Sequence, residues 1–197
     1  MVNARRRNRA AGIGVALAAV SLVVSTLALP AQAARSDYYF SGGVGTNRFT
    51  MKITGSMNST WRGFLSSGIS AWNGTYATTG TAISQTSGST SKTMRLGSLP
   101  SGTIGRYEYS GNRSNRTFRI TVDAQQIINH RHRVSSIGSW AKFTSMHELG
   151  HALSLKDNPS TTSSSIMTYK PMGWTGVYGS PRSYDRSSVA AIYLGGS

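Results

Sequence analysis

Five residues, His147-Glu148-Leu149-Gly150-His151, have the types and the spacing that zinc chemistry needs. On a helix, side chains four apart lie one above the other, so the imidazoles of His147 and His151 can bind a single zinc ion. Glu148 sits one step round the helix, within reach of a water held on that ion. A carboxylate there can act as general base. The chain has four histidines and two glutamates, and three of those six residues fall in this pentapeptide. Two helix histidines satisfied by ordinary hydrogen bonds would not require a scarce glutamate between them.

A catalytic zinc takes three protein ligands and keeps one position open. After His151 the only carboxylates are Asp157 and Asp185, and no histidine follows. Asp157 lies six residues beyond His151, just past the expected helix end. A chain that turns sharply after Ser154 brings it back to the metal. Asp185 opens the last helix and reads as its N-terminal cap. Upstream, His130 and His132 lie among arginines and read as a solvated loop.

The elements that must hold these residues are legible in outline. Residues 48–54 alternate Phe49, Met51 and Ile53 and read as a strand. Residues 59–73 put Trp61, Phe64, Leu65, Ile69 and Trp72 on one helical stripe, after a capping Asn58 or Ser59. Short β-like runs follow at 79–85, 92–98, 104–109 and 117–123, separated by Gly, Ser and Asn turns. A second helix is expected over 139–153 with an apolar supporting side of Trp140, Phe143, Leu149 and Leu153, and a last one over 185–194. Helix, sheet, then helices suggest a compact α+β domain.

The N-terminus reads as an export signal. Residues 1–10 are basic without acids, residues 11–29 are apolar and small, and Pro30-Ala31-Gln32-Ala33 gives an A-x-A cleavage pattern with a cut after Ala33. The division is then a signal peptide over 1–33 and one catalytic domain over 34–197. Export without cysteine suggests a bacterial, extracellular protein. The absence of cysteine also excludes disulfides, thiolate metal sites and a catalytic thiol. Lys and Arg number 21 against six Asp and Glu, so the exported chain carries about +15 − 4 = +11 once Arg5, Arg6, Arg7 and Arg9 leave. That charge suits anionic surroundings such as cell-surface polymers. Its arginines are scattered without regular aromatic interleaving, so no specific nucleic-acid partner is expected. Neither is a membrane after signal cleavage, and the expected state is a monomer.

Residues 147–157, HELGHALSLKD, resemble the extended zinc pattern of the metzincin proteases, H-E-x-x-H-x-x-G-x-x-H/D. Ser165-Ile166-Met167-Thr168-Tyr169 is similar to that family's Met-turn, which places a methionine, here Met167, beneath the metal. Aspartate as third ligand resembles the secreted snapalysin-like proteases, while the Ser-Ile-Met segment is closer to matrixins. The resemblance is specific over residues 140–169 and architectural over 38–123. It implies a compact metzincin-like domain: a twisted, mostly parallel sheet of about five strands, an active-site helix and a C-terminal helix. It implies zinc on His147, His151 and Asp157, Glu148 as general base, and Tyr169 as a contact to the zinc or the oxyanion. Met172 and Trp174 would wall the pocket after the cut, hinting at an apolar preference. One position departs: Ser154 stands where the family has a glycine that ends the helix in a left-handed conformation. Either Ser154 adopts that conformation, at roughly 1–2 kcal/mol, or the helix ends differently. Asp37 is a candidate to block the zinc in a precursor.

The expected function is a secreted zinc endopeptidase acting on protein or peptide substrates. Its rivals are a basic cell-wall or nucleic-acid binding protein with a residual zinc site, and a zinc amidase of cell-wall peptides.

Overall fold

The computed structural model describes residues 35–129, 136–168 and 177–195. The chain divides into Met1–Ala31, which lies outside the described residues, and a unit Gln32–Ser197. The signal-peptide reading therefore also lies outside them. The second unit runs α1 (Arg35–Tyr38), β1 (Arg48–Thr54), α2 (Ser59–Asn73), α3 (Tyr76–Thr79), β2 (Ala82–Gln85), β3 (Lys92–Leu96) and β4 (Gly105–Ser110). A 3-10 turn Arg113–Asn115 precedes β5 (Thr117–Val122), and then come α4 (Ala124–Asn129), α5 (Ile137–Ala152) and α6 (Ser183–Tyr193). Among the described residues no helix is long and apolar enough to cross a membrane.

The five strands form one sheet in the order β2-β1-β3-β5-β4. β1, β2, β3 and β5 run parallel, and β4 alone is antiparallel, pairing with β5 from Gly105↔Val122 to Ser110↔Thr117. This is an α+β fold with a mostly parallel sheet. The period-two pattern of β1 puts Phe49, Met51 and Ile53 into the core with Met94, Phe118 and Ile120 from its neighbours. β4 is one edge, opposite β2, and its residues are mostly exposed or half-exposed.

α2 begins where Asn58 Oδ1 accepts the N–H of Trp61, so Asn58 is the cap rather than Ser59. Its buried face carries Leu65, Ile69 and Trp72, and the indole N–H of Trp72 donates to the Met146 carbonyl of α5 at 2.8 Å. α5 starts from Ser136, whose hydroxyl accepts from the Ser139 N–H. Met146, Leu149 and Ala152 of α5 are fully buried. Truncating Leu149 to alanine would cost about 2–5 kcal/mol.

One expectation is corrected, and two features were not anticipated. The run 79–85 is not one strand: Tyr76–Thr79 forms a helical turn closed by Gly80 at φ 65°, and the strand begins at Ala82. The Thr75, Thr79 and Thr81 hydroxyls bond one another inside this turn, which gives β-branched residues a reason to leave the sheet. α4 was not expected. Asp123, read as a strand end, caps it by accepting the Gln126 N–H while its other oxygen accepts the Leu99 N–H. The N-terminal segment also has structure: Phe40 N–H donates to Ser154, Lys156 N–H to Tyr38 and Val44 N–H to Ala152, all at 2.8–2.9 Å. Residues 38–44 thus strap the chain that leaves α5.

Candidate metal centre and its cleft

The end of α5 decides the site. Leu155 N–H donates to Gly150 C=O at 2.8 Å and Ser154 N–H to His151 C=O at 2.9 Å. This is a Schellman ending with Ser154 at its left-handed position, φ 65°. The serine bears the strain that glycine would avoid. Its hydroxyl accepts from Arg113 Nη1 at 2.5 Å and donates to Tyr193 Oη at 3.2 Å, while the Tyr193 hydroxyl donates to the Val44 carbonyl. Arg113 lies between the rings of Tyr39 and Tyr193. A hydrogen bond to a charged donor is worth about 1.5–3 kcal/mol, enough to offset a left-handed serine.

The reversal returns Asp157 to the helix. Its Oδ1 lies 3.0 Å from His147 Nε2 and 3.3 Å from His151 Nε2. The turn is completed by Asn158, at φ 43°, whose N–H donates to Met167 C=O at 2.9 Å. Asparagine tolerates that conformation better than most residues. The three ligand atoms lie within 4.8 Å of one another, so this group can hold a metal ion.

The far nitrogens are also engaged. His147 Nδ1 is 2.9 Å from the Ile166 carbonyl, and His151 Nδ1 is 2.9 Å from the Leu155 carbonyl. A carbonyl can only accept, so each Nδ1 carries a proton, which leaves Nε2 as the nitrogen that would offer its lone pair to a metal; without one, each Nε2 faces Asp157 Oδ1. Burial pushes the His147 pKa down, but the Asp157 hydrogen bond and the charges of Glu148 and Asp157 outweigh it and raise it to about 9. Burial acts to raise the Asp157 pKa, but the hydrogen bonds from both histidines overcome it and hold the carboxyl well below its usual range.

Glu148 is 6% exposed, and burial raises its pKa above the ordinary carboxylate range. Its Oε1 abuts Gly105 at the start of β4, where any Cβ would collide with it. Gly150 is constrained in the same way by the Met167 sulfur. Met167 is buried directly against the helix that carries both histidines. His147, Glu148, His151 and Asp157 open onto a cleft of about 580 Å³ lined by α5, residues 102–107, Phe40 and the loop at 156–158. Phe40 and Tyr107 both pack against the His151 ring.

Asp185 does more than cap a helix. It sits at the third position of α6, 1% exposed, and accepts the Arg182 N–H at 2.7 Å. It also accepts the Ser165 hydroxyl at 2.5 Å and the Ile166 N–H at 3.0 Å, while Met167 N–H donates to Ser165 Oγ. The expected cap is present, and Asp185 in addition fixes the turn that carries Ile166 and Met167. Sequence spacing offered no sign of this, because the contact spans 20 residues. Asp37 is exposed on α1 and takes no part in the His147–His151–Asp157 group. Tyr169, Met172, Trp174, His130 and His132 lie outside the described residues.

No family model and no curated protein matches this chain. A solved structure described as the GM1 bound form of the ECX AB5 holotoxin contains a chain similar in fold, with a TM-score of 0.53 and 13% identity. The match covers 81% of this chain and 89% of that one.

Proposed function

We propose that this chain is a secreted, metzincin-type zinc endopeptidase. The observation that carries the reading is the convergence of His147 Nε2, His151 Nε2 and Asp157 Oδ1 beside a buried Glu148 in an open cleft. Two imidazoles and a carboxylate suit zinc, and both imidazoles are oriented by backbone carbonyls as zinc ligands commonly are. When bound there, zinc supplies Lewis acidity that acidifies a water and polarises a carbonyl.

The chain's own residues do the rest. Glu148, with its basicity raised by burial, takes a proton from the attacking water and passes it to the leaving amine. β4 is the antiparallel edge strand, and Gly105–Tyr107 line the cleft, so an extended peptide can lie along that edge. Phe40 and Tyr107 hold the His151 ring and shield one side. Tyr169 is the candidate for the oxyanion contact.

The test is hydrolysis of casein by protein beginning at Ala34. Cleavage should stop with a chelator and return with zinc alone. Stable zinc binding with no hydrolysis of casein or of cell-wall peptides would favour a binding protein. Hydrolysis of cell-wall peptides alone would favour an amidase.

A further inference from the structure

The sheet buries one face. α2 and α5 pack on the side of Met51, Met94 and Ile120, which share one core with Leu65 and Leu149. A parallel sheet is ordinarily covered on both faces. Here α2 and α5 leave the other face of β1, β3, β5 and β4 open. The loop that joins β2 to β3 reaches only its margin, where Lys52 Nζ donates to the Ser87 carbonyl at 2.6 Å.

Strand register sets what that face presents, because directly paired residues point to the same side. One row across the four strands is Lys52, Thr93, Arg119 and Glu108. The next is Thr54, Arg95, Thr121 and Arg106. The cations of the second row are displaced by one strand from those of the first. Lys52, Arg95, Arg119 and Arg106 therefore form a zigzag, one from each strand. A strand spacing of about 4.8 Å and a two-residue rise of about 6.6 Å put their backbones about 8 Å apart at each step.

The three arginines are exposed and Lys52 is half-buried. Glu108 is the one acid in the two rows, and it pairs with Arg119 at 3.1 Å. Among the described residues Lys52, Arg95 and Arg106 form no ion pair. Like charges this close repel, within a Debye length of about 10 Å, so the bare face carries a cost that an anionic partner relieves. The two rows hold no aromatic side chain on which a base could stack, which disfavours single-stranded nucleic acid. They hold guanidinium forks that match paired phosphate oxygens, and half-buried Thr54 and Thr93 hydroxyls that can bond a polyol between phosphates. Arg106 also lines the cleft, so the zigzag ends on the cleft's rim.

We propose that this open sheet face is a docking surface for a linear polyol-phosphate polymer, laid across the strands from Lys52 to Arg106. The proposal goes beyond the endopeptidase reading and does not rest on it. Docked there, the protein holds its cleft against a phosphate-bearing surface.

The experiment titrates the protein beginning at Ala34 with poly(glycerol phosphate) at about 50 and 200 mM salt. Lys52→Gln combined with Arg95→Gln should weaken binding at least about tenfold and lower the salt slope by about one per cation removed. Lys142→Gln combined with Arg186→Gln removes the same charge from α5 and α6, and should weaken binding less than about threefold. Glu108→Gln removes the one acid of the face and should tighten binding about threefold, a gain that no loss of folding can mimic. Equal losses from the two double variants would mean that net charge alone binds the polymer and would overturn the site, as would a parent that does not bind. Tighter binding of an oligothymidylate or a polyglutamate of equal charge would overturn the polyol-phosphate assignment. Casein turnover tests the endopeptidase reading separately, because its absence leaves these binding ratios measurable.

Discussion

Asp185 and His147 hold the two ends of one residue. The Asp185 carboxylate accepts the Ile166 N–H at 3.0 Å, and His147 Nδ1 donates to the Ile166 carbonyl at 2.9 Å. A buried acid from α6 thus fixes, through one backbone residue, the ring whose other nitrogen faces Asp157. The first prediction follows. Asp185→Ala leaves the Ser165 hydroxyl and the Ile166 N–H without their acceptor and should cost on the order of 3 kcal/mol, more than a lost cap. Zinc affinity should fall about 10–100-fold, as for other partners that orient a ligand. Denaturant unfolding and zinc titration check both. A loss near 1 kcal/mol with unchanged affinity would reduce Asp185 to a cap.

Glu148→Gln should keep one zinc per chain and lose hydrolysis by at least about 10²-fold. The shape is kept against Gly105, while glutamine cannot take the water's proton. Metal analysis and casein turnover measure the two halves separately. Substantial residual turnover would remove Glu148 from the role of base.

Asp157→Ala should empty the metal centre, and Asp157→His should retain zinc, because imidazole is a good ligand at a position the reversed chain already reaches. Zinc stoichiometry after gel filtration decides it. Full occupancy in Asp157→Ala would mean that another group supplies the third ligand.

Metal-free protein should lose stability as pH rises. The folded pKa of His147, about 9, lies above the ordinary 6.5. The protonated ring is therefore favoured by folding: that stability is fully present below 6.5 and is lost as pH rises through about 9. The separation is worth on the order of 3 kcal/mol. Burial of the Glu148 carboxylate has the same sign, beginning above its ordinary 4.5. Zinc displaces the proton, so binding should release protons and strengthen over this window. The melting temperature in chelator should drop between pH 6.5 and 9. A flat or rising profile would contradict the coupling of His147 to Asp157.

Ser154 separates strain from bonding. Ser154→Gly relieves roughly 1–2 kcal/mol of left-handed strain but gives up the bonds to Arg113 and Tyr193, so its net effect should be small. Ser154→Ala keeps the strain, loses the bonds, and should cost about 1.5–3 kcal/mol. Thermal unfolding ranks the two. Equal losses would mean that φ 65° carries little strain here.

The local features of this protein were legible in its residues. Alternation gave β1, and the stripe from Trp61 to Trp72 gave α2 with its stated limits, because both follow from a period that each segment carries by itself. The His147-Glu148-His151 face needs only the helix that holds it. What tertiary structure decided lies where distant segments meet. Ser154 violates the local preference for glycine, and only Arg113, 41 residues away, and Tyr193, 39 residues away, explain how it is held. Asp185 reads as a cap until Ser165 and Ile166 are brought to it. A sequence fixes the periodicity of its segments, but which buried polar atom finds a partner depends on packing that no single segment contains.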